Sequence, residues 1–325
     1  MLTDADERLA HQIPEPLPAV AGPDRHWRES YFFAAHHPER LGDALVLTMA
    51  ANPARRAMDS YQMGRLDGQL FFSRTSRPFG DDPHTPVAGP VSVEIVRPYQ
   101  QIVLRAGPGA RGFGGTELIW TARTRPYLTR RGTLVVDGAP VWDQRQVMQS
   151  GWFDGEYVSS GRTVAVERWW GQRDHSWGIR RHPRCPLWIW LAVQLPDGML
   201  GAWLWEHADG RRHYLDGCWA PDGGEEPVPL ADLRYDLDWL DAAGEPVRGT
   251  GAAQRADGLG GRVVFVLSDG RSVTVDGRGH WIAPYGRRGG GLHQVSVHTS
   301  DGRDGTAIYE VTGCAHHRFF PEGAS

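Results

Sequence analysis

The chain has 325 residues, of which 23% are charged, and a formal net charge of -4 at pH 7. A near-neutral chain without a basic stripe is not expected to bind nucleic acid. It contains no apolar run long enough to span a bilayer, and its acidic N-terminus lacks the apolar core of a signal peptide, so we expect a cytoplasmic protein.

The usage of cysteine, glycine and tryptophan narrows the fold further. The three cysteines form no Cys-x-x-Cys pair, so neither a disulfide framework nor a zinc knuckle is indicated. The 41 glycines, many of them in Asp-Gly and Gly-Gly pairs, predict many tight turns. The 14 tryptophans predict either a very aromatic core or a large apolar cavity.

The N-terminal half is predicted to be an arm followed by short strands. Residues 1–25 are polar and contain four prolines, which favours an extended arm. A hairpin is predicted at Asp67-Gly68, and the Pro- and Gly-rich residues 74–90 are predicted to form a loop. The other strands predicted in this half cover residues 26–33, 46–49, 91–96, 101–104 and 117–122.

The rest of the chain continues this pattern. Residues 141–149 are compatible with a strand or a short helix, and a second hairpin is predicted at Asp154-Gly155. Further Asp-Gly turns separate strands predicted at residues 188–195, 199–207, 211–219, 230–240, 262–267, 272–275, 293–298 and 306–313. Because hardly any segment has helical periodicity, the sequence predicts an all-β protein with two barrels or sandwiches in tandem.

The boundary between the two predicted β domains is placed near residue 165. Residues 26–165 would then form the N-terminal barrel, after the arm of residues 1–25. Residues 166–325 would form the C-terminal barrel and would carry the stretch that is densest in reactive side chains. The sequence does not indicate an oligomeric state.

That stretch is residues 171–178, Gly-Gln-Arg-Asp-His-Ser-Trp-Gly, called here the central motif. If it is a strand, alternation places Arg173, His175 and Trp177 on one face and Asp174 and Ser176 on the other. Such a set could form an acid–base site. The alternative is a buried Arg-Asp ion pair beside a core histidine and tryptophan, since structural ion pairs resemble active sites.

Two further strands supply candidates for an aromatic pocket. Trp203 and Trp205 share one face of their predicted strand, and Trp188 and Trp190 share a face of the preceding strand. We expect these side chains to line a ligand cavity.

Other chemistries have little support in the sequence. The adjacent histidine pairs at 36–37 and 316–317 would point to opposite faces of a strand, so we expect no metal site. No Gly-x-Ser-x-Gly motif is present to indicate a serine hydrolase. A glycosidase needs two carboxylates close together, and the sequence alone does not show which two acidic residues meet.

The central motif, the Trp-rich strand, the Asp-Gly turn and the later Tyr-Glu-Val-Thr-Gly at residues 309–313 together resemble the lipocalin-like carotenoid hydratases. These are the hydroxyneurosporene synthase-like proteins and their tandem-calycin relatives. The chain is most similar to a branch that carries Arg-Asp-His-Ser-Trp-Gly. The likeness is concentrated in residues 145–220 and 305–313. It implies two lipocalin-like (calycin) antiparallel barrels, an apolar polyene or terpenoid-like substrate, and protonation of an alkene without a cofactor.

One departure from the family pattern concerns the catalytic acid. In the hydratases a His-x-Trp pair, matched here by His175 and Trp177, works with a Tyr-x-Asp on the next hairpin. This chain has Trp203-Leu204-Trp205 at that place, with Glu206 adjacent. Tyr-x-Asp letters occur at residues 214–216, but on the following predicted strand.

The resulting hypothesis is a cofactor-independent lyase or isomerase of hydratase or cyclase type. It would act on an apolar terpenoid- or polyketide-like metabolite. His175 and Asp174 would be the acid–base pair, and Arg173 would orient Asp174 or a substrate oxygen. The predicted substrate-binding residues are Trp177, Trp203, Trp205, Glu206, Trp188 and Trp190. The alternative is a non-catalytic lipocalin-like binding protein for the same class of ligand.

Overall fold

The computed structural model describes residues 2–9, 11, 24–80, 82, 84–108, 113–181, 187–285, 290–313 and 317–320. The chain divides into two compact units. The first comprises Met1–His36 and Leu45–Arg181, and the second comprises His37–Ala44 and His182–Ser325. Within the described ranges, no helix combines the length and the apolarity needed to cross a membrane.

The first unit is built on a twelve-stranded antiparallel sheet. Its strands are β1 (Trp27–His36), β2 (Ala44–Asn52), β3 (Ala57–Leu66), β4 (Gln69–Pro78), β5 (Val87–Ala88), β6 (Val91–Arg97), β7 (Gln101–Ala106), β8 (Phe113–Ala122), β9 (Tyr127–Leu128), β10 (Gly132–Val136), β11 (Ala139–Ser159) and β12 (Arg162–Arg180). The order is β4-β3-β2-β1-β12-β11-β8-β7-β6-β5, with β9 and β10 also paired to β11. The Ser60 hydroxyl on β3 donates to the carbonyl of Ala88 on β5 at 2.9 Å, so the sheet is nearly closed.

The second unit is a closed eight-stranded barrel in sequential order. Its strands are β13 (Leu187–Leu195), β14 (Gly198–Glu206), β15 (Arg212–Pro221), β16 (Val228–Leu240), β17 (Gly258–Leu267), β18 (Ser272–Pro284), β19 (Gly291–Thr299) and β20 (Asp304–Thr312). The α-helix α1 covers only Ala252–Arg255. The prediction of an all-β chain with two antiparallel barrels is confirmed.

The longest strands, β11 and β12, pair from Trp142 and Arg180 to Ser159 and Arg162, and this pairing positions the central motif. The hairpin predicted at Asp154-Gly155 is wrong, because these residues lie inside β11 at a register shift. Gly155 has φ +140°, and a Cβ there would lie 2.2 Å from the carbonyl oxygen of Glu117, so this glycine serves close strand packing. The chain reverses instead at Ser160-Gly161, between β11 and β12.

The boundary between the units lies later than the one predicted near residue 165. The central motif is part of β12, which hydrogen-bonds to β1 and β11 and ends at Arg180. It therefore belongs to the N-terminal unit and not to the C-terminal barrel. The predicted loop at residues 74–90 is also shorter than expected, since β4 continues to Pro78 and β5 lies within it.

Candidate functional site

The alternation of β12 separates the side chains of the central motif onto two faces. The side that bears the apolar core of the first unit includes Tyr31 and Phe33, which pair with His175 and Arg173 in the sheet register. Asp174 and Ser176 point to the opposite face. The motif therefore contributes to two separate sites, which are called here the core side and the Asp174 face.

On the core side, Arg173 is 1% exposed and is fully engaged by protein groups. Its two terminal nitrogens lie 2.5 and 2.8 Å from the carboxylate oxygens of Glu7. It also donates to Gln149, and its guanidinium lies 5.0 Å from the ring of Trp120. The expectation that Arg173 orients Asp174 is wrong, because the two side chains leave the strand in opposite directions and Arg173 pairs with Glu7.

His175 lies beside a buried carboxylate, Glu29, with its Nε2 2.8 Å from Oε1. His11 meets the same carboxylate through its ring Nδ1 and through its backbone N–H, at 2.9 Å for the latter. The His11 ring stacks on Trp177 with centroids 3.7 Å apart, and its Nε2 lies 3.1 Å from Asp6. The ring of Trp177 is thus covered by His11.

The charges in this cluster stabilise each other. Burial opposes the charged form of His11, but hydrogen bonds and charge from Glu29 and Asp6 outweigh it and raise the pKa of His11. Burial likewise opposes ionisation of Glu29, and hydrogen bonds from His11 and His175 lower its pKa. One ligand atom from each of His11, Glu29 and His175 lies within 4.8 Å of the others, so a metal ion could be held there. In the structure, these same residues are connected to one another by hydrogen bonds.

These contacts dock the N-terminal segment, defined as residues 2–9 and 11, onto the core side of β12. Asp4–Glu7 form a 3-10 helix, and Leu9 is part of the apolar core. The predicted extended arm is thus wrong for this segment, whereas residues 12–23 of that arm lie outside the described residues. On the core side, the motif works chiefly as an anchor for the N-terminal segment.

The Asp174 face has a carboxyl group that the protein only partly satisfies. Asp174 is half-buried, and hydrogen bonds from Ser176 and Gln146 reach its carboxyl group. Its Oδ1 is buried and has no hydrogen-bond partner among the residues that the structure describes. Desolvation raises the pKa of Asp174 to about 6, although the charge of Arg180 opposes the shift. The half-buried ring of Phe32 lies directly opposite on β1 and provides an apolar wall.

Two arginine side chains lie on the same face as this carboxyl. Arg180 donates to Ser176 and Gln144, both at 2.8 Å. Arg28 lies within electrostatic range of Arg180, Tyr61 and Asp174, and burial followed by the charge of Arg180 lowers its pKa to about 10. The Asp174 face thus combines a readily protonated carboxyl with two guanidinium groups.

The predicted aromatic residues lie in the second unit. Its barrel interior is filled by alternate residues such as Ile189 and Leu204, so the neighbouring tryptophans point outward. The outward set, which pairs across β13 and β14, is Trp188 with Trp205 and Trp190 with Trp203. Tyr214 stacks on Trp205 at 4.2 Å. All four tryptophans therefore lie outside the barrel interior, yet they are buried, with exposed fractions of 0 to 8%. Their role in lining a ligand cavity stays a prediction.

Glu206, the acid next to the Trp-rich strand, is also committed to protein partners. It is 6% exposed, accepts a hydrogen bond from the Tyr235 hydroxyl at 2.7 Å, and lies 3.0 Å from Nε2 of His317. The Tyr-x-Asp sequence at residues 214–216 lies on β15, the strand after the Trp-rich β14. Its acid, Asp216, is buried and accepts a hydrogen bond from the backbone N–H of Gly217 at 2.7 Å.

Several residues of both sites were not predicted from the sequence. Glu7, His11, Glu29 and Arg28 come from segments far from the central motif. A signal existed only for β1, where an Arg-Glu pair interrupts an otherwise aromatic strand. Alternation then sends Arg28 to the Asp174 face and Glu29 to the core side.

The fold has known relatives among solved structures. A protein assigned as AttH from Nitrosomonas europaea is 13% identical, with a TM-score of 0.64 over 93% of this chain and 98% of that chain. Kievitone hydratase from Nectria haematococca is 11% identical, with a TM-score of 0.53 over 92% and 94%. CghA with Sch210972 is 12% identical, with a TM-score of 0.52 over 95% and 97%.

At these identities the likeness establishes the fold, a tandem-barrel fold that a hydratase also uses. A comparison with curated protein sequences gave no match. A family model, described as a family of unknown function (DUF8625), matches residues 2–256, which is more than half of the chain. The chain therefore belongs to the DUF8625 family.

Proposed function

We propose that the protein is a lyase or isomerase of hydratase or cyclase type that uses Asp174 as its general acid and needs no cofactor. The substrate would be an apolar terpenoid- or polyketide-like metabolite. The named activity of kievitone hydratase, which has the same fold, supports the reaction class. The proposal retains Asp174 from the central motif and assigns Arg173 and His175 to the anchoring of the N-terminal segment.

The observation that carries this proposal is the state of the Asp174 carboxyl. Its Oδ1 has no hydrogen-bond partner, so a proton on that oxygen has no acceptor in the described part of the protein. The half-buried ring of Phe32 lies opposite and would pack against an apolar substrate. A carboxyl with a pKa of about 6 is protonated often enough near neutral pH to act as an acid.

In the proposed reaction, the O–H bond of the protonated Asp174 carboxyl breaks and its proton forms a C–H bond with one carbon of a substrate double bond. The other carbon becomes a cation. Addition of water followed by loss of a proton completes a hydration. Attack by an internal double bond or hydroxyl, again followed by loss of a proton, completes a cyclisation. Loss of a different proton from the first cation completes an isomerisation. In each case the proton released at the end restores the carboxyl group of Asp174.

The test is deuterium incorporation in heavy water, because alkene protonation places solvent hydrogen on carbon. We would incubate the protein with a panel of unsaturated terpenoids and polyketides and measure carbon-bound deuterium by mass spectrometry. Asp174→Asn should slow incorporation by about 100-fold or more. Asp209→Asn, the same change at an exposed turn of the second unit, should have no effect. Equal rates for Asp174→Asn and the unmodified protein would refute the role of Asp174.

A binding function is the second candidate, and one observation favours it. The presence of Arg173, His175 and Trp177 in one motif argued for chemistry, yet the structure engages all of them in docking the N-terminal segment. If compounds of the same panel bind tightly and are recovered from heavy water without carbon-bound deuterium, that result would support a binding protein.

A further inference from the structure

Arg28 is a cation that makes no hydrogen bond with the residues that the structure describes. It lies on β1 with its side chain on the Asp174 face and is half-buried. Among the residues that the structure describes, no hydrogen bond or ion pair involves its guanidinium, whose surroundings act on it only through longer-range charge. A guanidinium has five N–H donors, and those of the half-buried Arg28 are left for solvent or for a ligand.

The nearby acidic groups Asp59 and Asp174 act on Arg28 through longer-range charge and make no hydrogen bond to it within the described residues. Asp59 is engaged by Asn52, Arg55 and Arg74, at 3.1 to 3.5 Å. Asp174 is largely neutral below pH 6, since its pKa is about 6. Arg180 adds a second positive charge to the same face. The Asp174 face therefore carries an excess of positive charge when its acid is protonated.

We infer that Arg28 binds an anionic oxygen group of the substrate, a carboxylate or an enolate, while the apolar remainder of the molecule lies toward Phe32. A planar guanidinium fork matches the two oxygens of a carboxylate, which favours this group over a neutral alcohol or amide. The assignment of the anion to a substrate rests on the proposed function. The binding of the anion itself does not.

The sheet register gives the direction in which such a ligand would extend. On β1, Arg28 is four residues from Phe32, and Phe32 pairs with Asp174. The Cα atoms of Arg28 and Phe32 are therefore about 13 Å apart at most. Between them, Ser30 and Ser176 form a polar step with their hydroxyls 3.4 Å apart. If Arg28 binds the anionic group of a ligand, the apolar end farthest from that group would lie beside Asp174.

Calorimetric titration of the full chain with two matched probes tests this inference. The probes are 2-naphthoate, an apolar carboxylate, and 2-naphthamide, its neutral counterpart. We expect 2-naphthoate to bind at least tenfold more tightly than 2-naphthamide. Arg28→Gln should abolish this preference and leave the binding of 2-naphthamide unchanged. Arg162→Gln, which removes an exposed charge from the same unit, should retain the preference.

Two further readouts separate the possible failures. Arg28→Gln should raise the Tm of the free protein, because it removes an unpaired cation, and 2-naphthoate should no longer raise that Tm. Asp174→Asn should retain the tenfold preference for 2-naphthoate, because anion binding does not require the acid. A failure of the proposed function can thus be told apart from a failure of anion binding. Equal affinity of the unmodified protein for the two probes, no binding of 2-naphthoate, or a preference that survives Arg28→Gln would overturn the inference.

Discussion

Neighbouring residues of the central motif have opposite environments because a strand alternates its side chains. Arg173 has a buried carboxylate partner, Glu7, and contacts to Gln149, so its charge is neutralised by protein. Within the described ranges, Asp174 has no such ion pair and keeps one carboxyl oxygen without a hydrogen-bond partner. The residue that the fold satisfies is structural, and the residue that it leaves unsatisfied is the candidate for chemistry.

The raised pKa of Asp174 predicts a stability cost above pH 6. Its pKa rises from 3.8 to about 6 on folding, so the carboxyl contributes stability below about pH 4 that is lost as the pH rises through 6. Asp174→Asn should therefore raise the free energy of unfolding by about 1 to 2 kcal/mol at pH 8. At pH 4 it should change little. Urea denaturation at both pH values measures this difference, and a gain of equal size at both would contradict the desolvation argument.

At the scale of elements, the N-terminal segment is held by buried charge pairs more than by regular structure. Its 3-10 helix has only four residues, Asp4–Glu7, and contributes little by itself. Glu7, Leu9 and His11 make the contacts to the core side. The hydroxyls of Tyr31 and Tyr99 add hydrogen bonds to the carbonyls of Glu7 and Thr3, at 2.6 and 3.2 Å.

Glu7→Gln should be strongly destabilising, since it leaves the buried guanidinium of Arg173 without its anion. The expected loss in the free energy of unfolding is about 3 to 5 kcal/mol. Glu94→Gln is the matched control, because Glu94 pairs with Arg105 at an exposed position and should cost less than about 1 kcal/mol. A double variant that also carries Arg173→Met should recover part of the loss. Additive effects of Glu7→Gln and Arg173→Met would contradict the pairing.

The raised pKa of His11 predicts that docking of the segment weakens in alkali. A raised folded-state pKa means that the stabilisation is complete below pH 6.5 and is lost as the pH rises through the folded value. Hydrogen exchange of the amides in residues 2–9, corrected for intrinsic rates, should show lower protection at pH 9 than at pH 6. His11→Gln should remove this pH dependence. A protection factor independent of pH in the unmodified protein would contradict the role of His11.

The sequence predicts the strands well and the site incompletely, for physical reasons. Alternation and Asp-Gly turns are local properties, so most strands of both barrels and the split of the central motif onto two faces could be anticipated. Ion pairing is a long-range property, and Glu7 lies 166 residues from Arg173 in the sequence. The Asp154-Gly155 error has a local cause, since a bulge and a hairpin turn both favour glycine at positive φ.

At the scale of the whole molecule, neither unit is a continuous stretch of chain. The connection between β1 and β2 groups with the second unit. Gln294 on β19 is fully buried and secures this connection. Its side-chain oxygen accepts from the backbone N–H of Gly42 at 2.8 Å, and its amide nitrogen donates to the carbonyls of His37 and Arg40 at 3.3 and 3.1 Å.

Gln294→Leu should destabilise the second unit, because it leaves three backbone groups without their partner. We expect a loss of about 2 to 4 kcal/mol in the free energy of unfolding, somewhat less than the sum of three unsatisfied groups, since water can reach part of the connection. Gln254→Leu on the exposed side of α1 is the control and should stay within about 0.5 kcal/mol. Urea denaturation compares the two, and an equal stability of both variants would contradict this account.

The discontinuous second unit has a consequence for building chimaeras from members of this family. A single crossover near residue 181 would join a β1–β2 connection from one parent to a β19 from the other. The residue at position 294 would then come from one parent and the backbone groups that it hydrogen-bonds would come from the other. Exchange of residues 182–325 should therefore include residues 37–44 from the same parent. Libraries that transfer both segments should yield a larger fraction of folded proteins than libraries cut once.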